Sequence, residues 1–229
     1  MRATMAGSND GDAGHRGPLL PLFLDFDGRP VVIFGGGVVG ERKAELFSRY
    51  GPVRLFARDI SPSLRKLLKD DKRQIEFVRC DLSLGFSRFL EGAFLAVPAT
   101  SDSDLNRAIE QEARLRGILV NSVDGVGDVV VPSILNKGHI TIAISTENPA
   151  LSKYLRMKLD LLLSENFEEM ARLLSEVRRE NRALVPIQRD RAKIIWQILE
   201  DEEIWRLLSI SYDDALSKAR SYVRPDERG

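Results

Sequence analysis

The chain has 229 residues, 30% of them charged and 43% hydrophobic, an ordinary balance for a soluble globular protein of one large domain or two small ones. Lys+Arg and Asp+Glu stand at 34 each, so net charge points to no nucleic-acid or membrane-surface partner, and no apolar run reaches the roughly 18 residues of a membrane span. Cys80 is the single cysteine, which excludes an intrachain disulfide and fits a reducing, cytoplasmic compartment.

Residues 1–17 ("MRATMAGSNDGDAGHRG") hold no apolar signal core and are expected to form a flexible tail. "PVVIFGG" is a short β-branched run ending in glycine, the pattern of a buried strand. "VVGERKAELFSRYG" follows as a helix, with Val39, Leu46, Phe47 and Tyr50 on one face and Gly51 as its C-terminal cap. "VRLFA" is a second strand. "SPSLRKLLKDD" is a short helix with Ser61 as N-cap and Pro62 at the first helical position. "IEFVRC" and "AFLAVPAT" are the third and fourth strands. "SDSDLNRAIEQEARLRG" is a helix with Leu105, Ala108 and Ile109 inward, and "ILVNSVD" is a fifth strand ending at Asp124. Strands that alternate with helices over this span predict a Rossmann-like α/β domain at 18–124, a parallel sheet with helices on both faces.

The pattern changes after Asp124. "VVVPSILNKGHITIAIST" reads as two strands joined by a turn near Lys137-Gly138, a hairpin appended within a region 125–165. It is too hydrophobic to stand alone at a sheet edge, which predicts a homodimer built through this region. Asn148 is the expected N-cap of a helix with Pro149 at its first position and with Leu151, Tyr154, Leu155, Leu159 and Leu162 on one face. Residues 166–229 form a C-terminal helical domain, with Asn166 and Glu169 resembling a capping box.

Gly35, Gly37 and Gly40 match G-x-G-x-x-G between a strand and a helix. In that setting the first glycine allows the tight turn, the second lets backbone approach a pyrophosphate, and the third lets helix pack on strand. The free N–H groups of the helix start suit phosphates. A ribose-binding carboxylate is expected about 20 residues on, and Asp59 stands there. Its neighbour Arg58 would favour a 2′-phosphate instead. The competing reading is a glycine-rich turn in an α/β fold that binds no nucleotide.

"LPLFLDFDGRPVVIFGGGVVGERKAELF", "AVPATSDSDLN", "VNSVDGVGDVVVPSIL" and "ITIAIST" occur in this order. Together they resemble precorrin-2 dehydrogenase, the N-terminal half of siroheme synthase. The resemblance covers roughly residues 19–160. It implies NAD-dependent oxidation of precorrin-2 to sirohydrochlorin, with ferrous iron inserted as a second substrate by some members. It also implies a homodimer that exchanges strands and helices between chains. On the residues, it implies cofactor contacts from Gly35, Gly36, Gly37, Val38, Val39 and Gly40, then from Asp59 and Ile60 on the adenosine-ribose side, then from Ala99 and Thr100 on the nicotinamide side. Asp124, in "NSVD", inherits the family's catalytic aspartate. Ser145 and Thr146 inherit substrate contacts, although "STENPA" is shorter here than the family's serine- and glycine-rich stretch, and Asn121 and Lys153 are further candidate substrate contacts.

The chemistry agrees with that assignment. Removing two hydrogens from a reduced tetrapyrrole sends hydride to nicotinamide and a proton to a base, and open α/β sheets bind ligands at the carboxyl ends of their strands. Asp124 fits the base, with a turn aspartate before Gly125 as its bland reading. A polycarboxylate substrate needs local cations, for which Arg42, Lys43, Arg107, Lys137, Lys153 and Arg156 are candidates, each equally at home as a solvated surface charge. His15, His139 and Cys80 cannot make a conventional metal cage, so no metal site is expected. The alternative function is a non-enzymatic Rossmann-type nucleotide-sensing module.

Overall fold

The computed structural model describes residues 19–123, 125–146 and 148–223. Five apolar runs of its first half pair side by side: β1 (Val31–Phe34), β2 (Val53–Ala57), β3 (Ile75–Arg79), β4 (Leu95–Pro98) and β5 (Leu119–Val120). All pairings are parallel, in the order β3-β2-β1-β4-β5. β1 is central and covered on both faces, which is why its four residues are uniformly apolar and fully buried rather than alternating. Val31 and Ile33 face one core with Leu55, Leu95 and Val97, under Ala44 and Phe47 of α1 (Val38–Phe47) and Leu64 of α2 (Pro62–Leu67). Val32 and Phe34 face the other with Phe56, Ala96 and Val120, under Ile109 and Ala113 of α3 (Ser103–Leu115).

Several local expectations are met by side-chain chemistry. Ser61 accepts the Leu64 N–H at 3.0 Å and caps α2, with Pro62 at its first position. Asp102 caps α3 by accepting from Asp104 and Leu105. Other expectations change. The buried face of α1 is Gly40, Ala44 and Phe47, the spacing of one helical face, while Val39 and Tyr50 are exposed. The link from β3 to β4 is no α-helix but two short 3-10 turns, Leu82–Leu84 and Ser87–Leu90, separated by Gly85 at φ +133°. Leu82, Phe89 and Leu90 fill the space a helix would have covered.

β5 is shorter than expected and ends at Val120, not at Asp124. The cause is a chain reversal that closes the sheet edge. The Val120 N–H donates to the Asp128 carboxylate at 3.0 Å, and the Val129 N–H donates to the Val120 carbonyl at 3.0 Å. Both outward backbone groups of the last strand residue are thereby used. Arg114 holds Asp128 from α3, through Nε at 3.4 Å.

The chain divides into two compact units, the first ending at Val131 and the second starting at Pro132. In the second, β6 (Ser133–Lys137) and β7 (Ile140–Ile144) form an antiparallel hairpin whose turn is Gly138-His139, with Gly138 at φ +51°. Then come α4 (Pro149–Leu162), α5 (Glu165–Leu184), α6 (Gln188–Glu200), α7 (Glu202–Leu208) and α8 (Tyr212–Val223). Asn148 caps α4 by accepting from Ala150 at 2.9 Å and Leu151 at 3.3 Å. The Lys137 ammonium ties the hairpin to the C-terminal end of α4 through the carbonyls of Asp160 and Leu163. The expected capping box at Asn166 does not form: α5 already starts at Glu165 after Ser164, and Asn166 bonds Ser209 instead. Helices α5 to α8 bury a core of Met170, Leu173, Val177, Ile198, Ile204, Leu216 and Ala219. No helix among the described residues is long and apolar enough to cross a membrane.

Replacing Asp128 by alanine should leave the fully buried Val120 N–H without an acceptor and cost about 1–3 kcal/mol. A lower denaturation midpoint with unchanged slope checks this. Asp128→Asn, which keeps an acceptor oxygen, should lose less.

Candidate functional site

The carboxyl ends of β1, β2 and β4 open onto a cleft of about 500 Å³, within the usual range for ligand pockets. Gly35, Gly36 and Gly37 form its floor. Gly35 takes φ +112°, and a β-carbon there would collide with the Ala99 carbonyl; at Gly36 it would collide with the Asp59 carbonyl. A β-carbon on Gly40 would strike the Gly35 carbonyl, so the first turn of α1 can lie this close to the loop only as glycine. Gly37 differs: it is the N-cap of α1, and nothing stands within 4 Å of where its β-carbon would be. The loop thus presents bare backbone and a helix start to open space, the cradle a pyrophosphate needs. The residues present fit a dinucleotide.

Of the predicted cofactor residues, Gly35, Gly36, Gly37, Asp59, Ala99 and Thr100 come together around the cleft. Val38 and Val39 are exposed in the first turn of α1. Gly40 and the Ile60 side chain are buried, Ile60 in the core against Gly36. Asp59 is an exposed carboxylate at the cleft rim. Its pKa is lowered first by the Ile60 N–H, 2.9 Å from Oδ1, and then by the Arg65 guanidinium at 2.8 Å. Arg58 lines the same cleft, yet its guanidinium donates to Asp81 at 2.8 Å. Asp81 also accepts from Ser83, and with Arg58 as the main cause its carboxyl is brought down to about 2. The pair is therefore fully ionised at neutral pH.

Asn106 was not singled out from the sequence. It is buried on α3, one turn before Ile109, where an apolar residue would be expected. Its Oδ1 accepts the Thr100 N–H at 3.0 Å and lies 2.7 Å from the Thr100 hydroxyl, while its Nδ2 donates to the Thr100 carbonyl at 3.1 Å. It fixes the Ala99–Thr100 wall of the cleft. A polar residue at the inward spacing of Ile109 and Ala113 was the available signal.

Asn121, expected on the substrate, is buried and hydrogen-bonded within the first unit. Its Oδ1 accepts from the Lys43 ammonium at 2.6 Å and its Nδ2 donates to the Val129 carbonyl at 2.7 Å. Burial, with help from Arg42, lowers the Lys43 pKa. Ser145, Thr146 and Lys153 belong to the second unit. Ser145 and Lys153 are exposed. Thr146 shapes the entry to α4, its hydroxyl donating to the Asn148 carbonyl at 2.6 Å and its N–H to Ser152 at 3.0 Å. Asp124 lies outside the described residues, as does His15. Among the described residues no three His, Cys, Asp or Glu side chains gather as they would around a metal ion.

Known proteins share this architecture. A family model described as "Putative NAD(P)-binding" matches residues 22–133. The precorrin-2 dehydrogenase of Methanosarcina barkeri is 40% identical over 210 residues, which span 89% of this chain and 93% of that protein. The siroheme synthase of Zymomonas mobilis is 36% identical over 184 residues, 78% of this chain but 38% of the longer protein. A solved structure titled SirC, precorrin-2 dehydrogenase, superposes with a TM-score of 0.69 over 89% of this chain and all of the other, at 22% identity, a likeness of fold. A glycine cradle of this shape inside an NAD(P)-binding domain, with 40% identity running almost end to end through both units, places the chain in the precorrin-2 dehydrogenase family.

Proposed function

We propose that this protein oxidises precorrin-2 to sirohydrochlorin with NAD. The observation that carries the reading is the open glycine cradle at the start of α1, together with the near full-length likeness to an enzyme of that name. The same likeness favours an enzyme over a nucleotide-sensing module. Bound NAD supplies the hydride acceptor. Gly35 to Gly37 and the first N–H groups of α1 hold the pyrophosphate. Asp59 accepts from the adenosine-ribose hydroxyls, and the Ala99–Thr100 wall, set by Asn106, flanks the nicotinamide half. Each turnover releases one hydride and one proton from the substrate. Asp124 takes the proton as a carboxylate, a role resting on its place in "NSVD" within the family's motif order. Insertion of ferrous iron would use the same residue, since the macrocycle must lose two pyrrole protons to take a divalent ion.

Asp124→Ala should keep the fold and NAD binding and lose about 10²–10⁴-fold in precorrin-2 oxidation, the usual contribution of a positioned base. Turnover and melting are measured on one sample. A variant that melts lower yet turns over at the wild-type rate would make Asp124 a turn residue.

NAD should bind at least about tenfold tighter than NADP, a difference of about 1.4 kcal/mol. The support is Asp59, a carboxylate standing about 20 residues after the glycine loop, where it accepts ribose hydroxyls and disfavours a 2′-phosphate; Arg58 and Arg65 are each paired, with Asp81 and Asp59. Asp81→Asn should release Arg58 and narrow the preference. Calorimetry giving equal wild-type affinities would rule out this rim as the discriminator.

The second unit supports a homodimer. Leu151, Tyr154, Met157, Leu161 and Leu162 of α4 are all more than 45% exposed in the single chain. Light scattering should return twice the 25.7 kDa chain mass. A single-chain mass at micromolar concentration would contradict pairing through this face.

A further inference from the structure

The second unit holds a cleft that shares no residue with the dinucleotide cleft. It lies between α5 and α6 and has a volume of about 590 Å³. Three arginines line it, Arg178, Arg182 and Arg191, and no Asp or Glu does. Arg191 is committed: its Nη1 donates to the carbonyls of Val185 and Pro186, both at 2.7 Å, and ties down the α5–α6 turn. Arg178 and Arg182 are not. Arg172, on the same helix, is flanked by Glu169 and Glu176, whereas among the described residues Arg178 and Arg182 form no ion pair.

A second observation comes from the floor of the cleft. Asn181 is 1% exposed, and neither its amide nitrogen nor its oxygen has a partner among the described residues. Buried amides are rarely left so, because each lost hydrogen bond to water goes uncompensated. The opposite wall is apolar, made by Ile195 and Trp196, and Trp196 is 63% exposed.

These features select a ligand class. Arg178 and Arg182 stand one helical turn apart, about 5–6 Å between β-carbons, so two guanidinium forks project side by side. Planar forks match carboxylates bidentately. The apolar wall calls for a carbon body rather than a bare inorganic anion, and the Asn181 amide, closed to water in the single chain, gains its missing partners when the cleft opens around that body. We propose that the α5–α6 cleft binds an organic polycarboxylate, held by Arg178 and Arg182, stacked against Trp196 and met below by Asn181. Its source is either a free polycarboxylate or the carboxylate rim of a tetrapyrrole. The tetrapyrrole source rests on the proposed reaction, whereas binding of a free polycarboxylate stands or falls separately from it.

The test titrates the full chain with benzene-1,3-dicarboxylate, read by calorimetry and tryptophan fluorescence. Saturable one-to-one binding is expected, weakened at least about tenfold in Arg178→Gln/Arg182→Gln and at least about tenfold weaker for inorganic phosphate. NAD affinity of the variant should be unchanged, and helical circular dichroism and melting equal to wild type report that the second unit is folded. Should that variant misfold, Arg182→Lys keeps the charge and loses the fork, and it should still weaken binding. Absence of saturable binding, equal binding by the arginine variants, or phosphate binding as tightly as the dicarboxylate would each overturn the site. Sirohydrochlorin separates the sources. Two binding steps, one of them lost in the variant, assign the cleft to the tetrapyrrole; a single step alike in both proteins, alongside dicarboxylate binding, assigns it to a free polycarboxylate.

Discussion

Everything in the first unit depends on one close approach, that of the first turn of α1 to the carbonyl of Gly35, where only a hydrogen fits between them. Central β1 sets the position of Gly35 through hydrogen bonds on both sides: the Gly35 N–H reaches the Phe56 carbonyl at 2.8 Å and the Ala99 N–H reaches the Phe34 carbonyl at 2.7 Å. The glycine loop, the Asp59 rim and the Ala99–Thr100 wall converge on one cleft. Packing on both faces of the sheet makes this frame rigid, since fully buried β1 cannot shift without disturbing two cores at once.

The charges around the cleft are sorted by pairing rather than by number. Two arginines sit next to the carboxylates they restrain, Arg58 on Asp81 and Arg65 on Asp59. All four groups are substantially solvated, so neither pair adds much to stability. Arg58 is the main reason the Asp81 carboxyl is brought down to about 2, and the Ile60 N–H followed by Arg65 lowers that of Asp59.

Much of this was legible in the sequence because it rests on local rules. β-branched runs, the glycine spacing, Ser61-Pro62 and Asn148-Pro149 each encode one element by its own chemistry, and each stands where the pattern placed it. What was illegible depends on tertiary partners. Nothing in "ILVNSVD" says that the strand stops at Val120; that follows from Asp128, eight residues later, taking the strand's outward N–H. Nothing local says that Asn121 bonds Lys43, 78 residues away, or that Arg58 pairs with Asp81. Periodicity marked the inward face of α3 but not that Asn106 on that face would bond a loop.

The closure of β5 has a consequence for how the protein associates. A parallel sheet normally ends in a strand whose free backbone can recruit a strand from another molecule, the route to edge-to-edge aggregation. Here a carboxylate side chain and one returning residue fill that position, so augmentation from this side is blocked without a covering helix. The protection is supplied by residues that follow the sheet in the chain. A nascent polypeptide that has emerged only as far as Val120 therefore carries an unshielded edge, and the sheet becomes safe from self-recruitment only when Asp128 and Val129 arrive.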